Sequence, residues 1–82
     1  MFYVYILYSA RLDKFYVGSC DHLERRLDDH NSGRSTFTKS GKPWVLKYSE
    51  VHDSRSEARQ RESMIKRKKS RKYIEFLISS AD

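Results

Sequence analysis

A single cysteine, a single proline and three glycines are all that this 82-residue chain holds of those residue types. With one thiol, Cys20, no disulfide can close within the chain and no multi-cysteine zinc site can be built. A reducing cytoplasm is the expected setting. No apolar run approaches the ~20 residues of a membrane span, and the opening residues alternate where a secretory leader would be unbroken. Repeats and low-complexity tracts are absent. The length allows one modest core, so residues 1–82 are expected to form a single domain.

The chain is instead rich in positive charge. Seventeen Lys and Arg stand against eleven Asp and Glu, a formal charge of +6, and the pI is near 9.6. Such an excess attracts polyanions without itself specifying fold or chemistry. Its densest stretch is Lys66, Arg67, Lys68, Lys69, Arg71 and Lys72. Those residues suit a rim that contacts nucleic-acid phosphates, and equally a solvated helix end whose cations complement the helix dipole.

Phe2 to Tyr8 reads as a strand of aromatic and β-branched residues, Ser9 to Asp13 as a hairpin connection, and Lys14 to Ser19 as the return strand. Setting Tyr5 opposite Tyr16 brings both side chains to one face. Asp21 with Glu24 predicts a capping box, and Leu23, Arg26, Leu27 and His30 then form one helical stripe. Gly33 suits the helix end. Residues 31–42 are polar and predict a mobile loop that Pro43 ends. Trp44 to Val51 predicts a third strand. Ser54 with Glu57 predicts the cap of a helix running to about Lys68. Ser70 can cap a last helix with Tyr73, Phe76 and Leu77 on one face. The order β-β-α-β-α-α describes an α/β domain in the broad sense (α+β), with helices flanking a small three-stranded, antiparallel-containing sheet.

Among the acidic residues, Glu57 has a capping role and Glu62 has none. Glu62 falls on the apolar stripe of its helix, where a carboxylate is costly unless a cation or hydrogen bonds compensate it. It is therefore either a functional carboxylate or half of an ion pair with one of the many lysines and arginines. Arg26 and His30 are i, i+4 neighbours aimed toward the tyrosine face, whereas Arg25 points to solvent. Most of the six tyrosines need no explanation beyond packing, Tyr3 and Tyr8 in particular. Cys20, His22, His30 and His52 match no zinc spacing.

Taken in order, Tyr3-Val4-Tyr5, Tyr16-Val17-Gly18, Arg26 within Leu23-Glu24-Arg25-Arg26-Leu27, His30 and Glu62 resemble the GIY-YIG nuclease family. The likeness is to its minimal single-domain bacterial members, similar to the N-terminal nuclease region of the bacterial repair excinuclease. It covers nearly the whole chain. Three positions depart from the pattern: Tyr3 replaces the first glycine, Ser19 stands where lysine is frequent, and no asparagine follows Glu62.

The resemblance implies an endonuclease that hydrolyses DNA phosphodiesters with Mg²⁺ (or Mn²⁺), in repair or processing of DNA. Glu62 would hold the ion through one carboxylate, a sparse ligation normal for magnesium. Tyr16 would activate the attacking water as base or by orientation, and a free phenol, with a pKa of ~10, needs help to act as a base near neutrality. Arg26 would stabilise charge on the phosphate, Tyr5 would orient water or phosphate, and His30 would assist proton transfer or hold the phosphate. Two other readings stay open at this stage: a nucleic-acid-binding module of the same fold with weak catalysis, and an interaction domain docking an acidic protein.

Overall fold

The computed structural model describes residues 1–80. Its elements are β1 (Phe2–Ser9), β2 (Lys14–Cys20), α1 (Leu23–Ser32), a 3₁₀ turn (Lys39–Gly41), β3 (Trp44–His52), α2 (Arg55–Lys68) and α3 (Arg71–Ser80). The sheet is antiparallel throughout with strand order β2-β1-β3. The fold is α+β.

β1 is central because its residues can be buried on both faces. Val4, Tyr5, Ile6 and Leu7 are each no more than 1 % exposed. Alternation sends them to two different layers. Val4, Ile6 and Val17 pack with Ala58, Ile65 and Leu77 from α2 and α3, whereas the Tyr5 ring meets His30 of α1. The four-residue turn at 10–13, with Asp13 in the left-handed region at φ 51°, closes β1 on β2 with Ser9 opposite Lys14.

That register corrects one expectation. Tyr5 faces Gly18, and Tyr16 faces Leu7. The two tyrosines are offset by two residues, so they still share a face and lie diagonally, ring centroids 6.4 Å apart.

β3 serves both layers through a bulge. Leu46 pairs with Leu7 and Tyr48 with Ile6, which leaves Lys47 without a partner in the register. The extra residue reverses the alternation. Tyr48, Glu50 and His52 thereby face α2, where Glu50 accepts from the Tyr48 hydroxyl and from Arg61 Nε and lies 2.6 Å from His52 Nε2. Burial alone would raise the Glu50 pKa, but those partners hold it below the usual range.

The helix ends divide into those fixed locally and those that are not. Ser54 caps α2 by accepting from the Glu57 amide, Ser70 accepts from the Tyr73 amide, and Gly33 ends α1 at φ 86°, all as expected. Asp21 does not cap α1. The cap residue is His22, without a side-chain bond, and Asp21 instead reaches Arg55. On α3 the inward residues are Tyr73, Ile74, Leu77 and Ile78, and Phe76 is 63 % exposed, so it leaves the face assigned to it. The 31–42 segment is pinned: Asn31 bonds both the amide and the carbonyl of Trp44, and Thr38 is buried.

Candidate active site

Four of the sequence-assigned residues meet on the α1 side of the sheet. β1 presents Tyr5, β2 presents Tyr16, and the inward stripe of α1 presents Arg26 and His30. The Tyr5 hydroxyl lies 3.0 Å from His30 Nε2. The Tyr16 ring stands edge-on to His30 at 4.9 Å between centroids and 6.2 Å from the Trp44 ring. Gly18 makes this possible: a methyl placed there would come within 2.5 Å of the Tyr5 hydroxyl oxygen. Its φ is not among the positive ones, so the glycine is needed for space rather than for backbone freedom.

His30 is fully enclosed, at 0 % exposure. Its Nδ1 lies 2.6 Å from Thr38 Oγ1, whose hydroxyl also points to the Ser35 carbonyl. The consistent assignment has Nδ1–H donating to Thr38 and the Tyr5 O–H donating to Nε2. Trp44 Nε1 donates to the Thr38 carbonyl at 2.7 Å, which fixes this corner from a third element. Nothing in the sequence singles out Thr38 and Trp44. A threonine in a polar stretch carries no local mark of burial; only the folded contacts reveal it.

These surroundings set the titration of the buried pair. Burial pushes the Tyr5 phenol up to about 12, against a smaller opposing pull from the Arg26 guanidinium. Arg26 is held protonated chiefly by the Tyr5 oxygen beside it, and it lies 3.6 Å from Asp29. Burial, then the Arg26 charge, lowers the His30 pKa, with Asp29 opposing. His30 is thus neutral at neutral pH and acts as a hydrogen-bond relay rather than as a cation.

One consequence is measurable without any substrate. At pH 7.5 His30 is neutral folded or unfolded and contributes no pH dependence. As pH falls through the unfolded value of ~6.5, the unfolded chain takes a proton that the folded chain refuses, so stability declines toward the folded pKa. The expected slope is at most about 1.4 kcal/mol per pH unit. Melting curves of the parent and of His30→Gln at about pH 7.5 and 5.5 test this: the variant should be less stable yet flatter with pH. Parallel slopes would remove His30 as the source.

Glu62 comes from the other layer. On α2, its Oε1 accepts from Ser19 Oγ of β2 at 2.5 Å and its Oε2 from Lys66 Nζ at 2.6 Å. Lys66 Nζ also lies 6.0 Å from the Tyr16 ring centroid, so the carboxylate and the phenol share one neighbour around the strand edge. The Glu62 side chain is 21 % exposed. Of the two expectations for Glu62, the ion pair is present, with Lys66; the carboxylate is related to Tyr16 only through that shared lysine. Among the described residues no three His, Cys, Asp or Glu gather to hold a metal ion. A single hard carboxylate still fits Mg²⁺, which keeps most of its water.

The basic run is split by structure. Lys69 turns left-handed at φ 46° between α2 and α3. Arg71 binds the Asp13 carboxylate and carbonyl and covers Phe15, a latch from α3 to the hairpin turn. Lys68 lies over Tyr73. Lys14, Lys66, Lys69 and Arg71 rim a groove floored by Phe15, Val17, Ile65 and Ile74, with Tyr16 in its wall. Arg25 is exposed, as expected.

The sequence profile described as the GIY-YIG catalytic domain matches residues 1–74. A UPF0213 protein of Streptococcus pneumoniae serotype 4 is 36 % identical, over 98 % of this chain and 81 % of its own length. One from Staphylococcus haemolyticus is 40 % identical over 78 % of each chain, and one from Bacillus licheniformis 36 % over 89 % of this chain and 78 % of its own. No solved structure matches. No helix among the described residues is long and apolar enough to cross a membrane.

Proposed function

Because the chain belongs to the GIY-YIG catalytic-domain family, whose fold is of nuclease type, we propose that it is a divalent-metal-dependent endonuclease. It would hydrolyse DNA phosphodiesters in repair or processing of DNA, with residues 1–82 acting as one nuclease unit in the cytoplasm. The observation that supports the reading is the grouping at Tyr16 of the Tyr5–His30 pair on one side and Lys66, itself paired with Glu62, on the other.

Each residue then has a task. Tyr16, in the wall of the basic groove, orients or deprotonates the attacking water. Tyr5, with its phenol pushed up to about 12, stays protonated and positions rather than accepts a proton. Arg26, fixed beside that phenol, stabilises charge developing on the phosphate. His30 holds Tyr5 in place through a bond whose far end is Thr38. Glu62 would hold Mg²⁺ or Mn²⁺ once Lys66 releases Oε2, and the bound ion supplies Lewis-acid polarisation of the phosphoryl group. Lys66, Arg67, Lys68, Lys69, Arg71 and Lys72 serve as the phosphate-contacting side.

The Lys66–Glu62 pair also favours a second reading, a nucleic-acid-binding module with little turnover, because the one carboxylate is already neutralised. Labelled linear, flapped and branched DNAs incubated with Mg²⁺, Mn²⁺ or a chelator separate the two. Cleavage that needs the cation is expected. Binding without cleavage under any cation gives the second reading its place. Affinity should fall steeply with salt for either, and a flat salt dependence would remove the basic groove as a phosphate contact.

A further inference from the structure

The loop that holds Thr38 against His30 also carries Phe37, which is 91 % exposed. Its neighbour is one of the most deeply buried polar residues, at 1 % exposure, so the backbone at Phe37 is anchored while its ring stands in solvent. A lone exposed aromatic is ordinary on a surface. Its setting is not. Thr36, the preceding residue, lines a shallow depression with Arg11, Lys39, Ser40 and Lys42. Arg34 is tied to Asp28 and Asp29, but Arg11, Lys39 and Lys42 make no salt bridge among the described residues. This second basic patch comes from the β1–β2 turn and the loop after α1, separate from the Lys66–Lys72 run.

We propose that Phe37 is a stacking platform for an unpaired nucleic-acid base, with Arg11, Lys39 and Lys42 taking the adjoining phosphates. Phe37 follows Thr36, which lines the depression with those cations, so one short loop carries both an exposed aromatic face and basic groups. That pairing is what a single-stranded segment needs, since every base offers a π-face and every linkage a negative charge. A duplex hides its base faces and would gain only the phosphate contacts. The loop is linked to the catalytic tyrosines through Thr38, His30 and Tyr5, so a stacked base is held at a fixed offset from them. The preferred substrate is accordingly DNA with an unpaired base near the cut, such as a flap, gap or mismatch. The inference rests on the nuclease reading for the cut, but not for the binding.

The test uses the full chain and oligonucleotides carrying 2-aminopurine, either unpaired or within a duplex, with fluorescence and affinity read together. Phe37→Ala, at so exposed a position, leaves packing untouched, and melting temperature verifies this. The parent should quench the unpaired probe, and Phe37→Ala should lose the quench and bind it roughly tenfold more weakly. Duplex affinity should change by less than about twofold, because phosphate contacts persist. Phe37→Trp should restore both signals. If Phe37→Ala binds and quenches as the parent does, the platform is wrong while the nuclease reading stands. If the parent binds no DNA in either form, both fall. If Phe37→Ala alters only sedimentation, the ring meets a second copy of the chain and the proposal is overturned.

Discussion

Replacing Glu62 by glutamine is expected to lower DNA cleavage by at least about 10³-fold, the scale of a lost metal contact of several kcal/mol. The fold should survive. Glutamine keeps an acceptor for Ser19 Oγ and forfeits only the i, i+4 pair with Lys66, which on a half-open helix surface is worth roughly 0.3–0.5 kcal/mol. Glu57→Gln is the matched control. The α2 cap is made by the Ser54 hydroxyl and the Glu57 amide; the Glu57 side chain does not complete the expected capping box. That substitution therefore removes only a first-turn negative charge, costing about 0.3–1 kcal/mol and leaving the rate unchanged. Cleavage and thermal unfolding must be read on the same samples. A Glu62→Gln protein that cuts at the parental rate would take Glu62 out of the site.

Tyr16→Phe should cost about 10²-fold or more in turnover, as expected for lost acid–base assistance, with little change in stability. The prediction is sharp because the ring packing against His30 and Trp44 is retained. Tyr5→Phe should behave differently: it strips His30 Nε2 of its partner inside a closed pocket, so stability falls along with rate. Arg26→Ala should be slow and Arg25→Ala near the parent, since only the former lies beside Tyr5. Tyr3→Phe is the packing control. Equal cleavage by Tyr16→Phe and Tyr3→Phe would sink the assignment and leave the binding module.

The sequence made the local features legible. Ser54, Ser70 and Gly33 act within one helical turn of where they stand, so their neighbours in the chain suffice to identify them. The α1 stripe of Arg26 and His30 follows from helical period alone. What escaped depends on distance. Asp21 has the chemistry of a cap, but the chain places His22 at the cap position and Asp21 one residue before it, where it meets Arg55 of α2. The offset of Tyr5 and Tyr16 is set by how the 10–13 turn closes, and a two-residue difference leaves alternation unchanged, so patterning could not resolve it. Thr38 and Trp44 enter the His30 corner only when residues far apart in sequence are brought together. Phe76 satisfies the spacing of an inward residue and lies just off the strip that α3 buries.

The outer side of β2 has a consequence of another kind. Among the described residues this strand pairs only with β1, so its far backbone groups form an open template to which a foreign strand could add. The cations rimming the adjacent groove, Lys14, Lys66 and Lys69, guard it: two copies meeting edge to edge would press like charges together. The residues suited to drawing in a polyanion would therefore also oppose edge-to-edge pairing of two copies of the sheet. Screening them with concentrated salt weakens both effects at once.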